Sequence, residues 1–506
     1  MDVLLGLDLG TTNCKALAFD TDGHLLSSAS IATPTATNTG WGKKTSNPPF
    51  DAEALWDASV LLMRRVTDTL GPHRQVAAVS ITSMGEAGVL VNGAGEPLAP
   101  ILTWHDRCTT PWVAWWQKRI DEQALYAITG LPLDHIYSAN KLLWHRQHDP
   151  ITFARAHTWL CLSDWIIFRL TGERTTSHSM ASRTMLFDVR LRAWSEELFG
   201  LANLPASLMP PAFPSGVIVG RIEGQAANAT GLKVGTPVVT GGHDHICAAL
   251  AAGVFDPGIV LNSSGTTDTI LAALEHPILQ GDVASSGLCC GCHTVQDRYY
   301  LVGGFMSGAV VDWLARLLTA NNAPEALVPL MEEAARAPVL ANGLAFLPYL
   351  GGSGPPDRDP NAWGAWLGLR LDHNRADLMR AAMEGLSFAL RYLLEGHQRM
   401  TGRTTHELHA VGGGSRNRWW GQLKADVLGI PVQVPEVSEV TALGAALLAG
   451  MGVGIYPDAA EAAAHAQRPA VTFTPDPERH AAYDTAYHDI FLKLYPMLRS
   501  LPLGGH

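Results

Sequence analysis

The string Gly241-Gly242-His243-Asp244-His245 sets one carboxylate among glycines and histidines, after the apolar run Pro237–Val239 and before a small-residue helical segment, Ile246–Gly253. A carboxylate at a strand-to-helix transition, flanked by glycine, sits where a substrate can approach the backbone closely. It has the makings of a general base. Phosphoryl transfer to an alcohol needs only a base near the hydroxyl, an aligned γ-phosphate and a metal. Two other uses compete: Asp is a frequent helix N-cap, and His243, Asp244 and His245 carry metal-ligating groups. The metal reading ranks lowest, since no partner His or Cys is evident in the sequence.

Phosphate binding needs backbone amides presented by tight turns, and two such turns occur. Gly10-Thr11-Thr12 lies between the apolar run Val3–Leu9 and the alternating segment Lys15–Phe19; Ser264-Gly265-Thr266-Thr267 lies between Gly258–Asn262 and Thr269–Leu274. Glycine lets the chain turn, the amides point at the anion and the hydroxyls add donors. Asp8 precedes the first turn, where a carboxylate can hold Mg²⁺ through water while phosphates rest on the turn. A third turn, Gly412-Gly413-Gly414-Ser415-Arg416-Asn417, offers flat backbone for a purine ring; Asn417 either bonds the base or caps the helix behind it. The nearest approach to a P-loop, Gly42-Lys43-Lys44-Thr45, lacks the leading glycine and the spacing.

The elements that must hold these groups follow from pattern. Val3–Leu9, Lys15–Phe19 and His24–Ile31 read as a meander, and the same punctuation returns near the middle of the chain, which indicates an internal duplication. Helical periodicity marks Ala52–Thr69, Pro111–Ile120, Ser163–Leu170, Ser307–Leu318, Arg375–Glu395, Arg418–Leu428, Ala442–Met451 and a closing helix, Pro477–Leu498. Leu204–Ser215 reads as an exposed connection. The 506 residues imply two to four domains, and the economical arrangement is two α/β domains with a cleft between them, divided at 246–256.

Bulk properties exclude several classes. With 47% hydrophobic residues, 16% charged residues and a net charge of −11, the chain is a soluble globular protein that does not take nucleic acid as its main partner. No signal peptide and no membrane span is read, and seven cysteines at low density point to a reducing cytoplasm. Cys289-Cys290-Gly291-Cys292-His293 matches the haem-attachment spacing. It lies in an alternating segment, so buried or half-buried thiols in a hairpin, Gly287–Val295 with Arg298–Val302, are the better reading.

Taken together, the residues resemble the FGGY carbohydrate kinase family over nearly the whole chain. The matching motifs are Asp8–Lys15, Gly241–Asp244, Ser264–Thr267 and Gly412–Asn417. The most specific is Gly364-Ala365-Trp366-Leu367-Gly368-Leu369, with Asp377-Leu378 and Ala381-Ala382-Met383-Glu384 after it. Segments such as Leu170–Glu173 and Trp194–Leu198 are also similar to xylulokinases. The resemblance implies an α/β fold of the actin/hexokinase/RNase-H-like kind in two domains, residues 1–246 for the sugar and 247–452 for the nucleotide, with 453–506 a helical segment packed on the core. It implies ATP and Mg²⁺. Thr11, Thr12, Asn13, Lys15, Gly265 and Thr266 would face the phosphates, and Gly308, Asp312, Gly413 and Asn417 the nucleoside. Asp8 and Asp244 would support the metal, with Asp244 also the base. Sugar contacts would come from Gly85, Glu86, Trp104, His105, Asp106, Asp244 and His245.

The chain departs from its relatives at the sugar positions. Xylulokinases tend to have Gln-Met-His where it has Met84-Gly85-Glu86, and glycerol kinases have Arg-Glu where it has Gly85-Glu86. Glu86 is then expected to accept sugar hydroxyls and Gly85 to open space. His105 stands where xylulokinases usually have Asn, and Gly352–Pro356 is altered too. The expected substrate is a ketopentose or ketohexose. The alternatives are a polyol of the glycerol or erythritol type and a non-catalytic sugar or nucleotide sensor. A chaperone-like ATPase on the same superfold would need an appended substrate domain, which is not seen. The partners are the sugar and ATP; a homodimer is the expected assembly, without a residue signature of its own.

Overall fold

Val3, Leu4, Leu5, Leu7 and Leu9 are all buried, so the strand they form is covered on both faces. In the computed structural model, which describes residues 2–36, 45–71, 73–319, 326–436, 439–466 and 470–501, this strand, Asp2–Leu9, is at the heart of the first of two large sheets. Gly42, Lys43 and Lys44 lie outside the described residues. Asn13–Phe19 runs antiparallel to it and Leu25–Ala32 antiparallel to Asn13–Phe19; on the other side Gln75–Ser83 and Pro237–His243 follow in parallel, with Ile218–Arg221 antiparallel at the edge.

The second sheet repeats this plan. Ile259–Ser264 pairs antiparallel with Thr267–Leu274, which pairs antiparallel with Tyr299–Met306; Glu407–Val411 and Val432–Pro435 follow in parallel on the other side. Cys289–Cys292 and Ala470–Phe473 extend it at its two edges. Five strands of each sheet therefore share one order and one set of directions, and the duplication suggested by the two Gly-Thr-Thr turns is a duplication of topology. The C-terminal segment is thus not purely helical: Ala470–Phe473 is the last strand of the second sheet. The closing helix runs without interruption over Pro477–Arg499, widening to a π-helical turn at Tyr487–Phe491 between Pro477–Ala486 and Leu492–Arg499. Pro496 withdraws a donor from the ladder, and the wide turn keeps Tyr487 and Phe491 buried and stacked at 5.9 Å.

Helices Asp244–Ala251 and Val440–Gly452 join the two halves. Their buried faces form one cluster with Leu4, Leu17 and Val239 of the first sheet and Leu261, Leu271 and Val411 of the second. Helix Val440–Gly452 rides on the first sheet although its sequence belongs to the second half: a Cβ on Gly6 would stand 2.0 Å from the Ala442 carbonyl oxygen. Between Glu86 and Ser215 the first half carries a helical insertion with an aromatic core of its own, including Trp116, Tyr137, Trp144 and Trp159. Leu208 and Met209 of the expected exposed connection are buried in that core. Four more residues of the insertion, Tyr126, Ala181, Phe187 and Val189, are buried in the core of the second half. No helix among the described residues is long and apolar enough to cross a membrane.

The crossing of the two joining helices is set by Gly444, where a Cβ would lie 1.9 Å from the Cys247 carbonyl oxygen. Both neighbours are backbone, so neither can give way cheaply. Gly444→Ala is therefore expected to cost about 3 kcal/mol or more through overpacking, read as a clear fall in thermal midpoint by circular dichroism; an unchanged midpoint would contradict the packing described.

Candidate active site

Two cavities mark the candidate site, one between the halves and one within the second half. The first, about 450 Å³, is lined from the first half by Thr11, Gly85, Glu86, Trp104, Tyr137, Arg183, His243, Asp244 and His245, and from the second by Thr267, Thr269, Cys289, Gly351–Pro355 and Arg358, among others. The second, about 630 Å³, belongs to the second half and gathers Gly265, Thr266, Gly308, Asp312, Gly413 and Asn417. All six residues expected at the nucleotide from that half thus line one cavity, although they come from three separate stretches of sequence.

Asp244 is the first residue of its helix, with extended His243 in the capping position, so helix capping does not account for it. Its Oδ1 accepts the His245 N–H at 2.6 Å and lies 3.3 Å from His243 Nε2. Its Oδ2 takes no hydrogen bond among the described residues. His243 is buried and burial pushes its pKa down to about 3, so the ring is neutral. Among the described residues His243, Asp244 and His245 do not converge as a three-ligand site; the one such convergence is Asp20, Asp22 and His24, none of which lines either cavity. All seven cysteines are free. Cys290 and Cys292 are buried and Cys289 half-buried, in a strand antiparallel to Tyr299–Met306.

Asp8, two residues before the first Gly-Thr-Thr turn, has an Oδ1 shut off from solvent and without a hydrogen-bond partner among the described residues. Burial, reinforced by the charge of Asp244, pushes its pKa up to about 8. An orphaned carboxylate oxygen beside a second carboxylate has the donor chemistry of a hard divalent cation site, so the residues present fit Mg²⁺. Thr11, Thr12 and Asn13 are exposed on the turn. Lys15 instead holds Glu439, at the start of helix Val440–Gly452, at 2.7 Å.

The expected sugar residues divide. Gly85, Glu86, Trp104, Asp244 and His245 line the first cavity; His105 and Asp106 do not. Asp106 is buried and its carboxylate is consumed locally: Oδ1 accepts Ser46 N, Ser46 Oγ and Cys108 N, and Oδ2 accepts Asn47 N. It ties down the loop that carries Trp104, whose indole N–H donates to Thr11 Oγ1 at 3.0 Å. His105 is half-buried, edge-on to the Trp104 ring. Glu86 is buried, with a left-handed backbone (φ 67°). Its Oε1 accepts Arg183 Nε at 2.7 Å and meets Arg183 Nη2 at 2.5 Å. Nor does Gly85 open space, as its lack of a side chain suggested: a Cβ there would lie 3.0 Å from His243 Cδ2 and 3.3 Å from Arg183 Cγ.

Several cleft residues carried no signal in the sequence. Arg183 is one, in a short Ser-Arg-Thr stretch far from any motif. Arg358 is another; it reaches across from the second half to Asp134 at 2.6 Å, and His135 with Arg358 holds that carboxyl down at about 2. Behind the second Gly-Thr-Thr turn, Lys424 Nζ donates to Asn262 Oδ1 at 2.7 Å and to Ser264 Oγ at 2.5 Å, and lies 3.3 Å from Asp268 Oδ1; Ser307 Oγ donates to Asp268 Oδ2 at 2.8 Å. This buried network ties the turn to helices Arg418–Leu428 and Gly308–Leu318.

The N-terminal domain model of the FGGY family of carbohydrate kinases matches residues 3–251, and the C-terminal domain model matches residues 260–453. The chain belongs to the FGGY family of carbohydrate kinases. It is 28% identical to the xylulose kinase of Bacillus subtilis (strain 168), over 99% of this chain and 98% of that protein. It is 30% identical to the glycerol kinase of Janthinobacterium sp. (strain Marseille), over 90% and 91% of the two chains. The crystal structure of xylulose kinase from Rhodospirillum rubrum superposes with a TM-score of 0.89 at 30% identity, covering 98% of this chain and 99% of that one. Like the rest of its family, this FGGY kinase is a phosphotransferase with an alcohol group as acceptor, acting on a small carbohydrate at the expense of ATP.

The state of Asp8 in this kinase has a measurable consequence. Its pKa is about 8 in the folded protein against an ordinary 3.8, so between those values the folded state binds the extra proton and stability falls as pH rises. Asp8→Asn cannot ionise. In metal-free protein its thermal midpoint is expected to pull ahead of the wild type from about pH 4 to about pH 8 and level off above; parallel curves would contradict the burial described.

Proposed function

We propose that the substrate is a neutral ketopentose or ketohexose and that Asp244 is the base that activates its hydroxyl. One observation carries the base assignment: Asp244 is held through Oδ1 alone, so Oδ2 is left to take a proton in a cleft of sugar size. The neutral charge of the substrate is supported by the cleft's guanidiniums. The charge of Arg183 is matched by Glu86 and that of Arg358 by Asp134, so the pairs bring no net positive charge for a sugar acid, while Arg183 Nη1 keeps a donor for a hydroxyl.

In this reading Oδ2 accepts the hydroxyl proton as the sugar oxygen bonds to the γ-phosphorus and the bond to the β,γ-bridging oxygen breaks, releasing ADP. Thr11, Thr12 and Asn13 of the first turn and Gly265 and Thr266 of the second offer backbone and hydroxyl donors to the phosphates. Lys15 joins them once it exchanges Glu439 for phosphate. Gly308, Asp312, Gly413 and Asn417 surround the nucleoside. Asp8 and Asp244 would hold Mg²⁺, which supplies charge neutralisation for the phosphates. Glu86 orients Arg183 towards the sugar, Trp104 and His245 flank it, and Asp106 and His105 support the Trp104 loop. A polyol is the second reading, favoured by the similarity to a glycerol kinase.

Two measurements test this. Asp244→Asn is expected to lower kcat by about 10²-fold or more with its preferred sugar, the loss of a general base; near-normal turnover would refute the base assignment. In a coupled ADP-release assay, turnover is expected with neutral pentuloses, hexuloses or polyols and to be far weaker with aldonates of the same length. Preference for an aldonate would refute the charge argument.

A further inference from the structure

We infer that His243 is a positioning residue for Asp244, and that Gly85 is what admits it. The inference rests on the reading of Asp244 as base. His243 is the last residue of strand Pro237–His243, where it pairs with Ser83 and its backbone N–H donates to Ser179 Oγ at 3.2 Å, so its backbone is held from both sides. From there the ring reaches Asp244 Oδ1, with Nε2 at 3.3 Å. That oxygen already accepts the His245 N–H. The amide donor and the ring edge 3.3 Å away together restrict the rotation of the carboxylate and leave Oδ2 to the substrate.

The ring is boxed into this place. The His245 ring stands 5.4 Å away. On the opposite wall is Gly85, where a Cβ would come within 3.0 Å of His243 Cδ2 and 3.2 Å of Nε2, and within 3.3 Å of the Arg183 Cγ. Arg183 cannot yield, being locked to Glu86. A side chain at 85 would therefore displace the very nitrogen that reaches the base. An ordinary core histidine has both nitrogens satisfied; here Nδ1 is enclosed without a partner among the described residues, so Nε2 is the atom that the site uses. The departure at Gly85 is then coupled to the histidine beside the base.

The test is a set of four variants, His243→Ala, His243→Gln, Gly85→Ala and the double Gly85→Ala/His243→Ala, assayed with the best sugar found for the wild type. His243→Ala and Gly85→Ala are each expected to lower kcat about 10- to 100-fold, as misplacement of a catalytic group does, with KM for ATP within about two-fold. His243→Gln, whose amide N–H can donate from a similar position, recovers most of the loss. The double variant is no worse than His243→Ala alone, because the alanine at 85 then has nothing to displace. Wild-type kcat in His243→Ala, or losses that multiply in the double variant, would overturn the inference. Should His243→Ala fail to fold, His243→Gln and Gly85→Ala decide: a well-folded His243→Gln with a kcat loss as deep as that of Gly85→Ala overturns it. Asp244→Asn separates the two readings. An active Asp244→Asn removes the base assignment itself; an inactive one beside a fully active His243→Ala removes only the role given to His243.

Discussion

Two helices from opposite halves of the chain touch backbone to backbone where Gly444 meets Cys247, and the sugar cleft and the first phosphate turn are referred to that contact. Helix Asp244–Ala251 begins with the carboxylate that faces the sugar cleft. Helix Val440–Gly452 begins beside Glu439, which holds Lys15 on the first phosphate turn. Because Val440–Gly452 also lies against Gly6 of the first sheet, the turn at Gly10–Thr12 and the base at Asp244 share one rigid support. A wider crossing would separate the groups that have to meet around a transferred phosphoryl group, and the tolerance for that is small.

Charge in the cleft is arranged in pairs. Arg183 with Glu86 and Arg358 with Asp134 cost desolvation and return it by mutual attraction, while Lys424 and Asp268 do the same beneath the second turn. Such pairs add little to stability compared with apolar packing, but breaking one leaves a buried charge uncompensated, so each fixes the geometry around it. Asp8 is not paired in this way. Its Oδ1 is enclosed without a donor among the described residues, and burial, reinforced by the charge of Asp244, holds its proton.

Much of this was legible from sequence because turns and strand patterns are local. Asp8, the two Gly-Thr-Thr turns, the Gly412–Asn417 turn and Asp244 announce themselves through glycine and flanking apolar runs. The strands on either side of the two Gly-Thr-Thr turns and helices such as Ala52–Leu70, Gly308–Leu318 and Arg418–Leu428 lie within about two residues of their patterns, whereas strands Gln75–Ser83 and Val432–Pro435 went unread. What escaped was decided by tertiary contact. Nothing around Arg183 says that its guanidinium ends on Glu86, nearly a hundred positions earlier, or that its stem and the His243 ring fill the room at Gly85. The family resemblance puts Asp106 at the sugar, but the loop at Ser46 and Asn47 engages both of its oxygens. The widening at Tyr487–Phe491 keeps two aromatic rings buried, a detail that a helical pattern continuing through Pro496 does not reveal.

The insertion of the first half has a bearing on how the polypeptide is made. Tyr126, Ala181, Phe187 and Val189 have no complete core to enter until the second sheet exists, and the first sheet lacks its cover until Val440–Gly452 has left the ribosome. One face of the opening strand, at Gly6, must therefore wait for nearly the whole message to be translated before its cover arrives. Contacts so distant along the chain form slowly and leave apolar surface exposed meanwhile. The nascent chain is in this respect a natural client for chaperones, and cutting the gene between the two halves would yield two fragments that each lack part of their own interior.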